Sequence, residues 1–198
     1  LFDFGFAPQF ARNLTYVFSG AQKLLKEGVD ISDKSKGINY RLLATMIFTA
    51  KFVYQRLALI VLFVMLVFGS IYIYSVTNGF TNINNALEIW IIYSFSTFFN
   101  IYYSYYTSLL LGKGLVMESK KAMVYSKLFY IILMFIFLYS GFGLIGVVLA
   151  NLISPFMYRF ISYRYFFTEE LNNKIKIHEV SKKEKLELFE TIWYNAKK

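Results

Sequence analysis

Residues 57–77 hold no charged side chain. Coiled at 1.5 Å per residue, such a run is roughly 31 Å long, the thickness of a bilayer's hydrocarbon core, and it predicts a transmembrane helix. Three more long apolar runs follow at 89–111, 124–140 and 144–167, the first broken only by small hydroxyls, tyrosines and Asn100. Only Gly141, Phe142 and Gly143 join the last two, so these form an antiparallel hairpin. Residues 1–19 are also apolar enough to cross, which gives about five spans. They have neither the basic flank nor the small-residue cleavage site of a signal peptide, so the chain reads as a fragment beginning inside a helix, entered from outside.

Charge orients these spans. Every Lys and Arg except Arg12 and Arg159 lies in 20–56, 112–127 or 164–198, whereas the loops at 78–88 and 141–143 have none. By the positive-inside rule the basic segments and the C-terminus face the cytoplasm. With hydrophobic residues at 57% and aromatics at 21%, the net charge of +9 reads as topology and contact with anionic membrane lipids, not as nucleic-acid binding. The absence of Cys removes disulfides, thiolate catalysis and Cys-ligated metals. The fold expected is an all-α integral membrane bundle over 1–168, with a cytoplasmic connector at 169–198.

Two cytoplasmic pieces have local signatures. Residues 38–56 read as a helix running straight into the span at 57. Ser181 and Glu184 form a capping box ahead of Leu186, Leu188, Phe189, Ile192 and Trp193, whose spacing gives a helix with one apolar face.

Polar stripes mark the functional faces. At 100° per residue, Gly5, Pro8, Gln9, Arg12, Thr15, Tyr16 and Ser19 fall within about 60° of Arg12. In the third span Tyr93, Ser96, Thr97, Asn100, Tyr103, Ser104 and Thr107 cluster around Asn100 in the same way. In the fifth, Asn151, Ser154, Pro155, Tyr158, Arg159 and Ser162 share one side. The second and fourth spans are apolar nearly all round. The simplest arrangement sets the first, third and fifth around a hydrated interior, although such stripes also serve as ordinary interhelical contacts.

The arginines add weight to the interior, because Arg at a helix centre costs roughly 2.5–3.5 kcal/mol on insertion scales. Each follows a proline by one turn, Pro8 before Arg12 and Pro155 before Arg159, and each proline is expected to bend its helix and free a carbonyl, as in cavity-lining helices. Arg159 lies close enough to Arg164 to snorkel to the surface. Asp3 projects away from Arg12 and does not neutralise it. Catalytic and metal readings are weak: His178 and Glu179 have no second ligand set, Asp30 and Asp33 suit a turn or helix cap, and Glu88 is a lone exposed acid. Neither catalytic residue nor cofactor nor metal is expected.

The stretch Gly5-Phe6-Ala7-Pro8-Gln9-Phe10-Ala11-Arg12-Asn13, followed by Tyr16 and Ser19-Gly20-Ala21, resembles the second helix and following cytoplasmic turn of O-antigen (Wzx-type) flippases, members of the multidrug/oligosaccharidyl-lipid/polysaccharide exporter superfamily. The basic loop after Gly112, the hairpin and the segment from Asn151 to Arg164 resemble helices three to six of the same proteins. The resemblance implies the N-terminal half of a MATE-like fold of twelve or more helices in a bacterial cytoplasmic membrane. It also implies a flippase moving undecaprenyl-pyrophosphate-linked oligosaccharide for surface polysaccharide, alongside membrane lipids and other polysaccharide assembly proteins. Arg12 and Arg159 would meet the pyrophosphate, while Asn100, Asn151, Gln9 and Tyr16 would contact the rest of the substrate. A multidrug exporter of the same fold is the nearest rival, and a membrane polymerase or glycosyltransferase a more distant one.

Overall fold

Asn39 starts the longest helix. Its Oδ1 accepts the Leu42 N–H at 3.0 Å and so satisfies one donor that the first turn leaves open. From there the chain stays helical through Tyr40–Val76, as α2 (Tyr40–Val64), a π-helical turn (Met65–Gly69) and α3 (Ser70–Val76), so the lead-in expected at 38–56 does run into the apolar span. This computed structural model describes residues 5–25, 29–30, 37–81, 84–178 and 180–196, with backbone alone at 29–30 and 195–196. Asp3, Asp33, Glu179 and several basic residues, among them Lys26, Lys34 and Lys36, lie outside the described residues.

The remaining elements are α1 (Phe6–Phe18), a ribbon of β1 (Lys23–Leu24) and β2 (Val29–Asp30), α4 (Ala86–Tyr103), α5 (Tyr105–Gly112), α6 (Val116–Tyr139), α7 (Gly143–Phe166), α8 (Glu169–Lys176) and α9 (Lys182–Ala196). The ribbon is antiparallel, with Lys23 opposite Asp30 and Leu24 opposite Val29, so Asp30 belongs to a strand. Apart from it, the described elements are helical. Three stretches are long and apolar enough to cross a membrane: Tyr40–Val76, Val116–Tyr139 and Gly143–Phe166. The last two are the expected hairpin, with Gly141 at φ 83° turning the chain and Gly146 so close to Phe137 that a Cβ there would lie 2.6 Å from the Phe137 Cβ.

The other two expected spans differ. The run at 89–111 breaks at Ser104, whose carbonyl accepts the Thr107 N–H at 3.0 Å in a tightened turn, so two shorter helices, α4 and α5, divide it. In α1, 13 helical residues cover about 20 Å, short of the roughly 30 Å core. Its N-terminal Phe6 stacks on Trp193 of α9 at 5.4 Å and meets Phe189 at 6.1 Å. A helix carrying Lys182, Lys183, Lys185, Glu187 and Glu190 belongs in water or at the interface, and this contact brings the start of α1 to the same level. The described part of residues 1–19 is thus a 13-residue amphipathic helix in a helical cluster.

Two compact units divide the chain. Unit 1 comprises Leu1–Val53, Ser104–Lys120 and Ile161–Lys198; unit 2 comprises Tyr54–Tyr103 and Lys121–Phe160. In unit 1, α1 buries Phe6, Phe10, Asn13, Leu14 and Val17 against α5 and α9. The α1–α5 approach is close at Gly112, where an added Cβ would run into Leu14 and lie 2.9 Å from the Ala11 carbonyl. Unit 2 joins α6 to α7 by reciprocal bonds: Ser126 Oγ donates to the Ser154 carbonyl at 3.0 Å and Ser154 Oγ to the Ser126 carbonyl at 3.1 Å. Many of its outward side chains, including Phe63, Phe68, Ile132 and Phe135, are large, apolar and exposed, as suits contact with lipid.

Candidate functional site

In unit 1 the polar face of α1 forms as its periodicity dictates. Because Phe10, Leu14 and Val17 are packed inward, Pro8, Arg12 and Ser19 are left exposed and Gln9 and Tyr16 half-buried. Arg12 Nη2 donates to Gln9 Oε1 at 2.6 Å, one turn earlier. That partner is neutral and leaves the positive charge uncancelled, and a guanidinium has further N–H groups to offer an oxyanion. Thr15, predicted on the same face, instead turns its hydroxyl to α5, 3.2 Å from the Gly112 carbonyl.

Pro8 does not bend α1. It stands in the first turn, where the missing N–H would have had no intrahelical acceptor, so the ring fits without breaking a bond. Pro155 does lie inside its helix and denies the Asn151 carbonyl its usual donor.

The second set lies in unit 2. Arg159 is exposed, and its guanidinium sits over the Tyr103 ring, 5.4 Å from the centroid. Tyr103 is buried, flanked by Phe99 at 6.0 Å and Phe156 at 5.6 Å. Arg159 therefore ties α7 to α4 as well as exposing a charge. Asn100 is exposed, with its amide donating to the Ser96 carbonyl of its own helix at 2.9 Å. Asn151 is half-buried on the α7 side that also buries Ser154 and Pro155, while Ile153, Phe156 and Phe160 are exposed on the other. The predicted residues thus gather as Gln9, Arg12 and Tyr16 in unit 1 and as Asn100, Asn151 and Arg159 in unit 2.

Some polar contacts were not foreseen. Arg41 of α2 pairs with Glu184 of α9 at 2.7 Å beside a cavity of about 400 Å³ whose wall also includes Lys23 and Glu187. With both signs of charge, that cavity is no anion site. Lys113 donates to the Phe166 carbonyl at 2.8 Å and lies 5.2 Å from the Phe166 ring, capping the end of α7. Burial holds its pKa below the ordinary lysine range. These pairs join residues far apart in sequence, so periodicity could not reveal them. His178 closes α8, its N–H donating to the Ile175 carbonyl at 3.1 Å.

No protein-family model, curated protein or solved structure matches the chain. The class defined by fold and site is a helical protein with membrane-spanning helices and two arginine-bearing polar faces.

Proposed function

We propose that the chain is part of a multi-pass flippase of the O-antigen (Wzx-type) family, moving a polyprenyl-pyrophosphate-linked oligosaccharide across a bacterial cytoplasmic membrane without covalent catalysis. The observation that carries this reading is the exposed Arg12 guanidinium, steadied by the neutral Gln9 on a polar helical face in the unit that holds most of the basic segments. An anionic headgroup arriving from the basic side would meet that charge first. Two unit charges about 4 Å apart attract by about 4 kcal/mol at an effective dielectric near 20, enough to recruit a pyrophosphate though not to drive net movement. In this reading Tyr16 and Gln9 contact the substrate beside Arg12, Arg159 is a second cationic contact, and Asn100 and Asn151 meet sugar hydroxyls.

The test is surface glycan export by the intact protein in cells. Arg12→Ala should abolish export at normal membrane abundance, since an exposed side chain does not hold the fold. Arg12→Lys should restore part of it, because lysine keeps the charge but loses the planar fork that grips phosphate oxygens in pairs. Undiminished export by Arg12→Ala would refute the role and favour the small-molecule exporter reading.

A further inference from the structure

Where α3 ends and α4 and α7 begin, unit 2 forms an open-edged cavity of about 270 Å³. Ile73, Ala86, Ile89, Trp90, Leu144 and Val148 supply most of its wall. Two polar side chains of the wall are engaged within the protein. Trp90 Nε1 donates to Ser70 Oγ at 3.0 Å; Thr77 Oγ1 donates to the Ile73 carbonyl at 2.7 Å and accepts the Phe80 N–H at 3.1 Å. A guest therefore meets mostly aliphatic surface and the rings of Trp90 and Tyr93. Among the described residues water would find few hydrogen-bond partners there, and an apolar cavity of roughly 150 Å³ stays dry and holds a benzene. By that scale the present cavity takes a chain segment of about ten carbons. Its edge is open, with Tyr93 and Leu144 exposed beside it, on helices whose outward residues are apolar.

Charge selects the guest. The connections at 77–85 and 140–142 carry no Lys or Arg. The acid Glu88 sits in the first turn of α4, projecting away from the side of the helix that bears Ala86, Trp90 and Tyr93. Among the described residues of unit 2 no cation lines the cavity to hold a phosphate monoester or pyrophosphate, so a headgroup without net charge suits this end of the helices. We propose that the cavity binds about ten carbons of one acyl chain of a zwitterionic phospholipid. This stands apart from the flippase reading and from the arginine faces.

The experiment reconstitutes the intact protein in vesicles of phosphatidylethanolamine and phosphatidylglycerol containing a trace of either lipid with a photoactivatable diazirine on its acyl chain, and maps cross-linked peptides by mass spectrometry. With the phosphatidylethanolamine probe, residues 86–93 and 144–148 should be labelled several-fold more than the exposed reference residues Ile132, Phe135 and Ile136 of α6, and the phosphatidylglycerol probe should show a smaller excess. Ala86→Phe, which fills the cavity, should remove the excess while α6 labelling stays at the wild-type level and certifies insertion; Ala86→Leu should remove part of it. Labelling no greater than the α6 reference, an excess that survives Ala86→Phe, or equal excess for both probes would overturn the proposal. So would displacement of the phosphatidylethanolamine probe by polyprenyl phosphate, which would assign the cavity to a carrier lipid.

Discussion

At the scale of single residues, the structure leans on side chains that are small or absent. Gly112 lets α1 and α5 touch, with Leu14 and the Ala11 carbonyl in the space a Cβ would need. One carbonyl is backbone and cannot swing aside, so Gly112→Ala must push the helices apart. Overpacking of that kind costs typically 1–3 kcal/mol, and the purified variant should melt several degrees lower than wild type. An unchanged melting temperature would mean that the α1–α5 contact is looser than the geometry states. Gly69 plays a comparable part in unit 2: a Cβ there would strike the Trp90 ring, whose indole N–H is tied to the next residue, Ser70. The π-helical turn ends at this glycine, and the tryptophan docks where the backbone is barest.

At the scale of elements, α9 shows how local chemistry sets a long-range contact. Its capping box is complete: Ser181 N–H donates to Glu184 Oε2 at 2.8 Å and Glu184 N–H to Ser181 Oγ at 3.2 Å, while Glu184 Oε1 accepts from Arg41. The Ser181 backbone bond first, then Arg41, hold the Glu184 carboxyl below its ordinary value of 4.5. A carboxylate with a depressed folded pKa contributes stability that is present above the unfolded value and is lost as pH falls through the folded one. Docking of α9 should therefore persist at pH 6 and weaken below about pH 4.5, red-shifting emission from Trp193 as it leaves Phe6. Glu184→Gln should show much of that shift already at pH 6; a variant matching wild type at both pH values would exclude Glu184 as the latch. This box was legible in the sequence because its partners are three residues apart, and so were the α6–α7 hairpin and the long lead-in of α2. The break at Ser104 and the π-helical turn were not, since they accompany how Tyr105, Tyr106 and Trp90 pack rather than any local signal. The Gln9–Arg12 face followed from helical periodicity, yet periodicity does not say whether the opposite face meets lipid or another helix. The packing of α1 on α5 and α9 was therefore not legible in its sequence.

At the scale of the whole molecule, three long helices each contribute to both units, and charge is divided along their lengths: Arg41, Lys51 and Arg56 precede the uncharged stretch from Leu57 to Thr77, and Lys120, Lys121 and Lys127 precede the uncharged stretch from Leu128 to Tyr139. A membrane accepts the uncharged lengths and rejects the lysine-bearing ones, so accessibility should follow charge. The chain has no Cys, which leaves a silent background for single introduced thiols. Cysteines at Lys120 and Lys183 should be labelled by a membrane-impermeant reagent from one side only, and one at Thr81 only from the other. The decisive position is Pro8. If residues 1–19 crossed the membrane, Pro8→Cys would lie more than halfway toward the side of Thr81 and be shielded or labelled from there. The Phe6–Trp193 stack instead holds the start of α1 level with the charged helix α9, so Pro8→Cys should be labelled from the same side as Lys183, and the double variant Phe6→Ala, Trp193→Ala should loosen that pattern. Labelling of Pro8→Cys from the Thr81 side would restore the crossing and place the aromatic stack out of register with the bilayer.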